Sequence, residues 1–145
     1  LSFNPLHAKT YHSRGRAYFN LRDYPRAIAD YETAIKINPN YYETYQFLGN
    51  VYANLSKYTE AIEYYSKAIQ LDSREIKDPY VYEDLGDAYS KLGDKQRAIA
   101  AYQSAAEIYQ KKAELYQKKG YTQQYQAALN KIAKLQELPE VPKTP

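Results

Sequence analysis

Cysteine occurs nowhere in the chain, which excludes disulfides and thiol chemistry and leaves the compartment unread. Tryptophan and methionine are absent as well. The lack of methionine extends to position 1, so a processed or excised fragment of something longer is expected. Five glycines and seven prolines in 145 residues leave little room for a β-rich fold with many turns. No apolar run approaches the roughly 20 residues of a membrane span, and no signal-like segment opens the chain. A soluble protein is expected, cytoplasmic in preference to secreted. Histidine is scarce too, with only His7 and His12. Five positions apart on a helix, they diverge by about 140° and cannot share a metal. His12 and Ser13 are adjacent, and adjacent helical residues do not face each other. The glycines stand singly, so no phosphate-cradling loop is present. Carboxylates such as Glu60 and Glu63 sit as helix-surface residues. No catalytic residue, metal or cofactor is expected.

What the chain does have is helical spacing. From Tyr42 to Glu75, apolar or aromatic residues stand at Tyr45, Leu48, Tyr52 and Leu55. They resume at Ala61, Ile62, Tyr65, Ala68, Ile69 and Leu71. Steps of three and four predict two amphipathic helices, and alternation of period two is missing. Ser56 to Thr59 is a short polar join suited to an antiparallel pair. One such hairpin cannot bury its apolar face alone. The pattern recurs 34 residues earlier, where Tyr11, Gly15, Tyr18, Ala27, Tyr31 and Ala34 match Tyr45, Gly49, Tyr52, Ala61, Tyr65 and Ala68. It recurs again as Tyr82, Gly86, Tyr89, Ala98, Tyr102 and Ala105.

A 34-residue helix-turn-helix period with small and aromatic residues at these offsets resembles the tetratricopeptide repeat family. The family's early tryptophan is tyrosine in all three copies. The resemblance implies an all-α, right-handed solenoid of antiparallel helix hairpins, with first helices lining a concave groove. Gly15, Gly49 and Gly86 on the first helices are expected to face Ala27, Ala61 and Ala98 on the second. Glycine inside a helix costs roughly 1 kcal/mol against alanine, so close helix approach is its expected reason. The organisation expected is a lead-in segment over 1–7, then repeats over 8–41, 42–75 and 79–112. A capping helix over 122–138 and a proline-rich tail over 139–145 follow. Pro5 opens the first helix, and Asp23 caps the second with Pro25 in its first turn. Asn38-Pro39 ends the first repeat. The spacing from Gly49 to Gly86 is 37 residues, which places a longer loop over Asp72 to Asp78. Nothing breaks Lys95 to Lys119, so the last repeat's second helix is expected to run to about 119, with Gly120 as its stop.

Function in such an architecture is expected on a surface, as a protein-interaction scaffold holding a peptide or partner segment. By the resemblance, groove positions are Lys9, His12, Arg16, Phe19 and Asn20 in the first repeat. The second supplies Gln46, Asn50, Ala53 and Asn54, below Glu43. The third supplies Tyr80, Glu83, Asp87, Ser90 and Lys91. The line runs basic, amide-rich, then acidic, so an extended segment is expected with its acidic end near Arg16 and its basic end near Asp87. The amides of Asn50 and Asn54 can satisfy both backbone donors and acceptors. The family's clamp for chaperone-tail carboxylates needs Lys and Asn, then Asn, then Lys and Arg. The matching positions here are His12 and Arg16, then Phe47, then Tyr80 and Asp84, which argues against that clamp.

The net charge of +3 is uneven, −1 over residues 1–109 and +4 over 110–145. The tail's Lys111, Lys112, Lys118, Lys119, Lys131, Lys134 and Lys143 read as a solvated helix face, or as a contact for an acidic partner or anionic membrane. Nucleic acid and membrane are not expected partners, because the excess charge lies away from a groove that turns acidic at its third repeat. Of 19 tyrosines, nine fill repeat positions and ten are extra; Tyr80 is the first choice among these for a partner contact. The rival role is self-association, a homodimer through the capping helix or the open first repeat.

Overall fold

The three hairpin turns are built alike from unlike residues. In the computed structural model, which describes residues 4–137, the helices are α1 (Pro5–Asn20), α2 (Tyr24–Ile37), α3 (Tyr42–Asn54), α4 (Tyr58–Leu71), α5 (Pro79–Lys91), α6 (Lys95–Tyr116) and α7 (Lys119–Glu137). No strand occurs among the described residues. α1, α3 and α5 each end in a left-handed residue: Arg22 at φ 60°, Ser56 at φ 58° and Gly93 at φ 78°. The amide of the next residue then closes back on the last helical turn. Asp23 donates to the Tyr18 carbonyl, Lys57 to Tyr52 and Asp94 to Tyr89, at 2.9, 2.8 and 2.9 Å. This pairing satisfies carbonyls that a helix end leaves bare. The same residue also caps the helix that follows. The Asp23 and Asp94 carboxylates accept from the amides of Arg26 and Arg97, but Lys57 offers no cap.

The second turn therefore carries two correctable defects. A β-carbon in the left-handed region costs about 1 kcal/mol, and a missing N-cap costs about as much. Ser56→Gly with Lys57→Asp is expected to stabilise the protein by about 2 kcal/mol. Urea unfolding checks it: an unchanged midpoint would mean that α4 is already capped by other means.

The chain divides into two compact units between Asp72 and Ser73. In the first, α1 packs on α2, α2 on α3 and α3 on α4. Ala27, Tyr31, Leu48 and Val51 form its buried centre, with Tyr18, Phe19 and Phe47 among the residues packed around them. Arg14 clamps the buried Asp30 carboxylate with two 2.7 Å hydrogen bonds, tying α1 to α2. In the second unit α6 packs against both α5 and α7.

Each repeat glycine lies against a tyrosine ring. A β-carbon on Gly15 would come within 2.7 Å of Tyr31 Cε1; at Gly49 and Gly86 the matching distances, to Tyr65 and Tyr102, are 2.6 Å. The expectation paired these glycines with Ala27, Ala61 and Ala98; the atoms that come nearest to them belong to the tyrosines one helical turn further on. The alanines are fully buried, but the glycines' nearest neighbours are aromatic carbons. The physical reason is area: a ring against a bare helix backbone buries far more surface than a methyl group would.

The end of α6 corrects an expectation. It stops at Tyr116, and Gln117 takes the left-handed conformation at φ 49°, ψ 34°. Gly120, expected as the stop, is the second residue of α7. α7 begins at Lys119 and presents Leu129, Ile132 and Leu135 to Ala98 and Tyr102 of α6. That stripe is used up inside the unit. Leu138 and the tail over 139–145 lie outside the described residues.

Candidate functional site

On α1, Lys9, Arg16 and Asn20 are seven and four residues apart, so helical geometry stacks them on one stripe, and all three are exposed. The Arg16 guanidinium lies 5.0 Å over the Phe47 ring, which joins this stripe to α3. α3 contributes an exposed Asn54 and a half-buried Asn50. The two asparagines are not equivalent. Asn50 Oδ1 accepts the Tyr65 hydroxyl at 2.7 Å, so its carbonyl already serves the core. Asn54 donates to the Asn50 carbonyl at 2.8 Å and accepts from Tyr24 at 3.5 Å.

His12 and Gln46, expected on the open face, are buried instead. His12 Nδ1 sits 3.1 Å from Thr44 Oγ1, and the rings of Tyr31, Tyr41 and Phe47 lie 5.2–5.6 Å away. Three aromatic neighbours outweigh the polarity of one imidazole and draw it inward. Burial lowers its pKa below the ordinary 6.5; Glu43 opposes the shift and Arg16 adds to it. Its Nε2 finds no hydrogen-bond partner among the described residues, nor does the buried Tyr31 hydroxyl.

In the second unit the expected residues are partly engaged. Asp87 accepts a short hydrogen bond from the Tyr102 hydroxyl and an ion pair from Lys131 at 3.4 Å, with Lys131 also 5.2 Å over the Tyr102 ring. Asp87 is therefore already committed before any basic end of a peptide arrives. Glu83 is half-buried and Lys91 exposed. Asp84, one turn along from Tyr80, is pushed up to about 7 by burial, then by Asp87, Glu83 and Asp78, with Lys131 opposing. Tyr80 stays exposed and accepts a 3.0 Å hydrogen bond from the Gln124 amide of α7. Both residues line a cleft of about 510 Å³, together with Lys118, Tyr121, Gln123 and Ala127. Sequence reasoning missed this cleft, because its two walls lie some 40 residues apart with no repeat relation between them. Among the described residues no group of three or more His, Asp or Glu side chains could hold a metal ion, and no helix is long and apolar enough to cross a membrane.

Known proteins place this geometry. Family models described as tetratricopeptide repeat match residues 8–41 and 40–111. Comparison with curated protein sequences gives no match. Among solved structures, MamA is 31% identical with a TM-score of 0.69, covering 77% of this chain and 63% of its own. The chain thus spans less than two thirds of MamA's length. PcrH, solved in complex with the chaperone binding region of PopD, is 16% identical with a TM-score of 0.76, and 94% of each chain is covered. The TPR2B domain of yeast Sti1, solved as a complex with pHsp70, is 23% identical with a TM-score of 0.70, covering 87% of this chain and 98% of its own. At those identities the last two speak to the fold alone. With two family models spanning all three glycine–tyrosine hairpins, the chain belongs to the tetratricopeptide repeat family.

Proposed function

We propose that the chain is a protein-interaction module whose first unit holds an extended peptide segment along α1 and α3, with an acidic residue against Arg16. The carrying observation is the exposed Arg16 guanidinium stacked on Phe47, with Lys9 and Asn20 on its own stripe and Asn54 across on α3. The cation–π contact restrains the guanidinium beside the ring, so less side-chain freedom is lost when a carboxylate arrives. Asn54 is exposed and keeps one amide hydrogen and one carbonyl lone pair for a peptide backbone beyond its bonds to the Asn50 carbonyl and Tyr24, whereas the Asn50 side chain is committed to Tyr65. The partner-segment complexes of PcrH and Sti1 are consistent with this use of the fold. No observation favours self-association through α7, whose apolar stripe is consumed within its unit.

An array of ten-residue peptides and their charge-reversed counterparts tests the proposal. Acidic peptides are expected to bind, and Arg16→Glu to weaken them about tenfold, near 1.4 kcal/mol. Equal capture of both charge sets, or an unchanged affinity in Arg16→Glu, would overturn it. Asn50→Ala is a poor probe, because it also strips Tyr65 of its acceptor.

A further inference from the structure

The lysine excess of the C-terminal region has a structural focus. α6 does not run on; it breaks at Gln117, whose left-handed backbone costs about 1 kcal/mol in a residue with a β-carbon. The break delivers Lys118, which lines the same cleft as Tyr80 and Tyr121, and its chain neighbour Lys119 to the start of α7. Neither lysine, nor Lys111, has a carboxylate within ion-pairing distance among the described residues. Lys112 lies 5.6 Å over the Tyr121 ring, adding a cation to the same wall. Leu115 and Tyr116 at the end of α6 and Tyr80 on α5 are 59%, 57% and 49% exposed. The floor includes the exposed methyl group of Ala127.

We propose that this elbow between α6 and α7 docks a short acidic peptide segment carrying one aromatic side chain. The aromatic group enters between Tyr80 and Tyr121 over Ala127, and flanking carboxylates reach Lys118 and Lys119. Charge complementarity sets the acidity, and the paired tyrosine walls set the aromatic anchor. The extent of the positive patch sets the length. Asp78, Glu83, Asp84 and Asp87 stand on α5 or at its cap, on the Tyr80 side of the cleft. A continuous polyanion such as nucleic acid or an anionic bilayer would be repelled by that wall, whereas a segment with two or three carboxylates at the mouth would not. The site lies in the second unit and stands independently of the Arg16 face in the first.

The probe is an acetylated, amidated hexapeptide with one phenylalanine flanked by two glutamates and with serine at the other positions, titrated into the whole chain and followed by amide chemical shifts. Shifts are expected at residues 115–127 and near Tyr80, with a Kd of about 10–100 μM, weakening about fivefold or more from 50 to 300 mM salt. Lys118→Glu with Lys119→Glu should weaken binding at least about tenfold. Ala127→Tyr, which fills the floor without changing charge, should do the same. All three positions are exposed, so both variants should melt with the wild type, and Arg16→Glu should bind the probe normally. Retained affinity in both elbow variants, or equal affinity for the lysine version of the peptide, overturns the proposal. Tighter binding of a ten-nucleotide single strand or of phosphatidylserine vesicles than of the acidic peptide overturns it in favour of a polyanion surface.

Discussion

Tyr65→Ala is expected to cost about 3–5 kcal/mol, a large share of the 5–15 kcal/mol typical of a folded domain. The ring is 2% exposed and lies against α3 at Gly49, so truncation opens a cavity between two helices. Glycine cannot fill it, and α3 cannot move closer without breaking its seam with α2. The hydroxyl adds a smaller, separable part. Tyr65→Phe should cost about 1 kcal/mol, because it removes the 2.7 Å hydrogen bond to Asn50 while leaving the packing intact. The first repeat supplies the control. Tyr31 makes the same contact with Gly15, but its buried hydroxyl has no partner among the described residues. Tyr31→Phe should therefore be neutral or stabilising by up to about 1 kcal/mol. Urea unfolding of the three variants decides the matter. Equal costs for the two Phe substitutions would show that the hydroxyl environments do not differ as described.

That pair also marks what the sequence made legible. Each tyrosine follows its glycine by 16 residues in all three repeats, so the contact was present as a constant offset. Pairing glycine with alanine follows from small residues permitting close approach; the tyrosine ring as the nearest neighbour does not follow from that rule. The hairpins themselves were legible because amphipathic spacing, the Asp23 cap and the Asp72–Asp78 loop are local signals, and local signals are read directly. The end of α6 was not. Gln117 carries no chain-breaking character; the helix stops there because α7 must fold back to bury Ile132 against Ala98 and Tyr102. His12 was misplaced for the same reason. Its position on α1 was correct, but whether that position is open depends on Tyr41, Thr44 and Phe47 from the next repeat. Tertiary neighbours, absent from any local window, decide such cases.

Those neighbours also give the two units opposite responses to pH, and Asp84→Asn should expose the difference. In the folded protein the Asp84 carboxyl is raised to about 7 from an ordinary 3.8, by burial first and then by Asp87, Glu83 and Asp78. A raised acid binds its proton more tightly folded than unfolded. Below about pH 4 both states are protonated and the group costs nothing. Between about pH 4 and 7 the unfolded chain ionises first and stability falls; above that the penalty is complete, on the order of 3–4 kcal/mol. Asparagine keeps the shape and cannot ionise. Asp84→Asn should therefore stabilise the second unit by about 3 kcal/mol at pH 8 and by almost nothing at pH 4. In the first unit His12 works the other way. Its depressed pKa means that the unfolded chain takes up the proton first, so stability is lost as pH drops below about 6.5. A single melting curve would blend the two slopes. Amide exchange separates them, with protection in α6 declining from pH 4 to 7 in the wild type but not in Asp84→Asn, once intrinsic exchange is corrected for. Lys131 is the cation that opposes the shift, so Lys131→Ala should raise the Asp84 pKa further and extend the fall in stability to higher pH. If α6 protection in Asp84→Asn follows the wild-type pH profile, the buried acid is not the source of the strain.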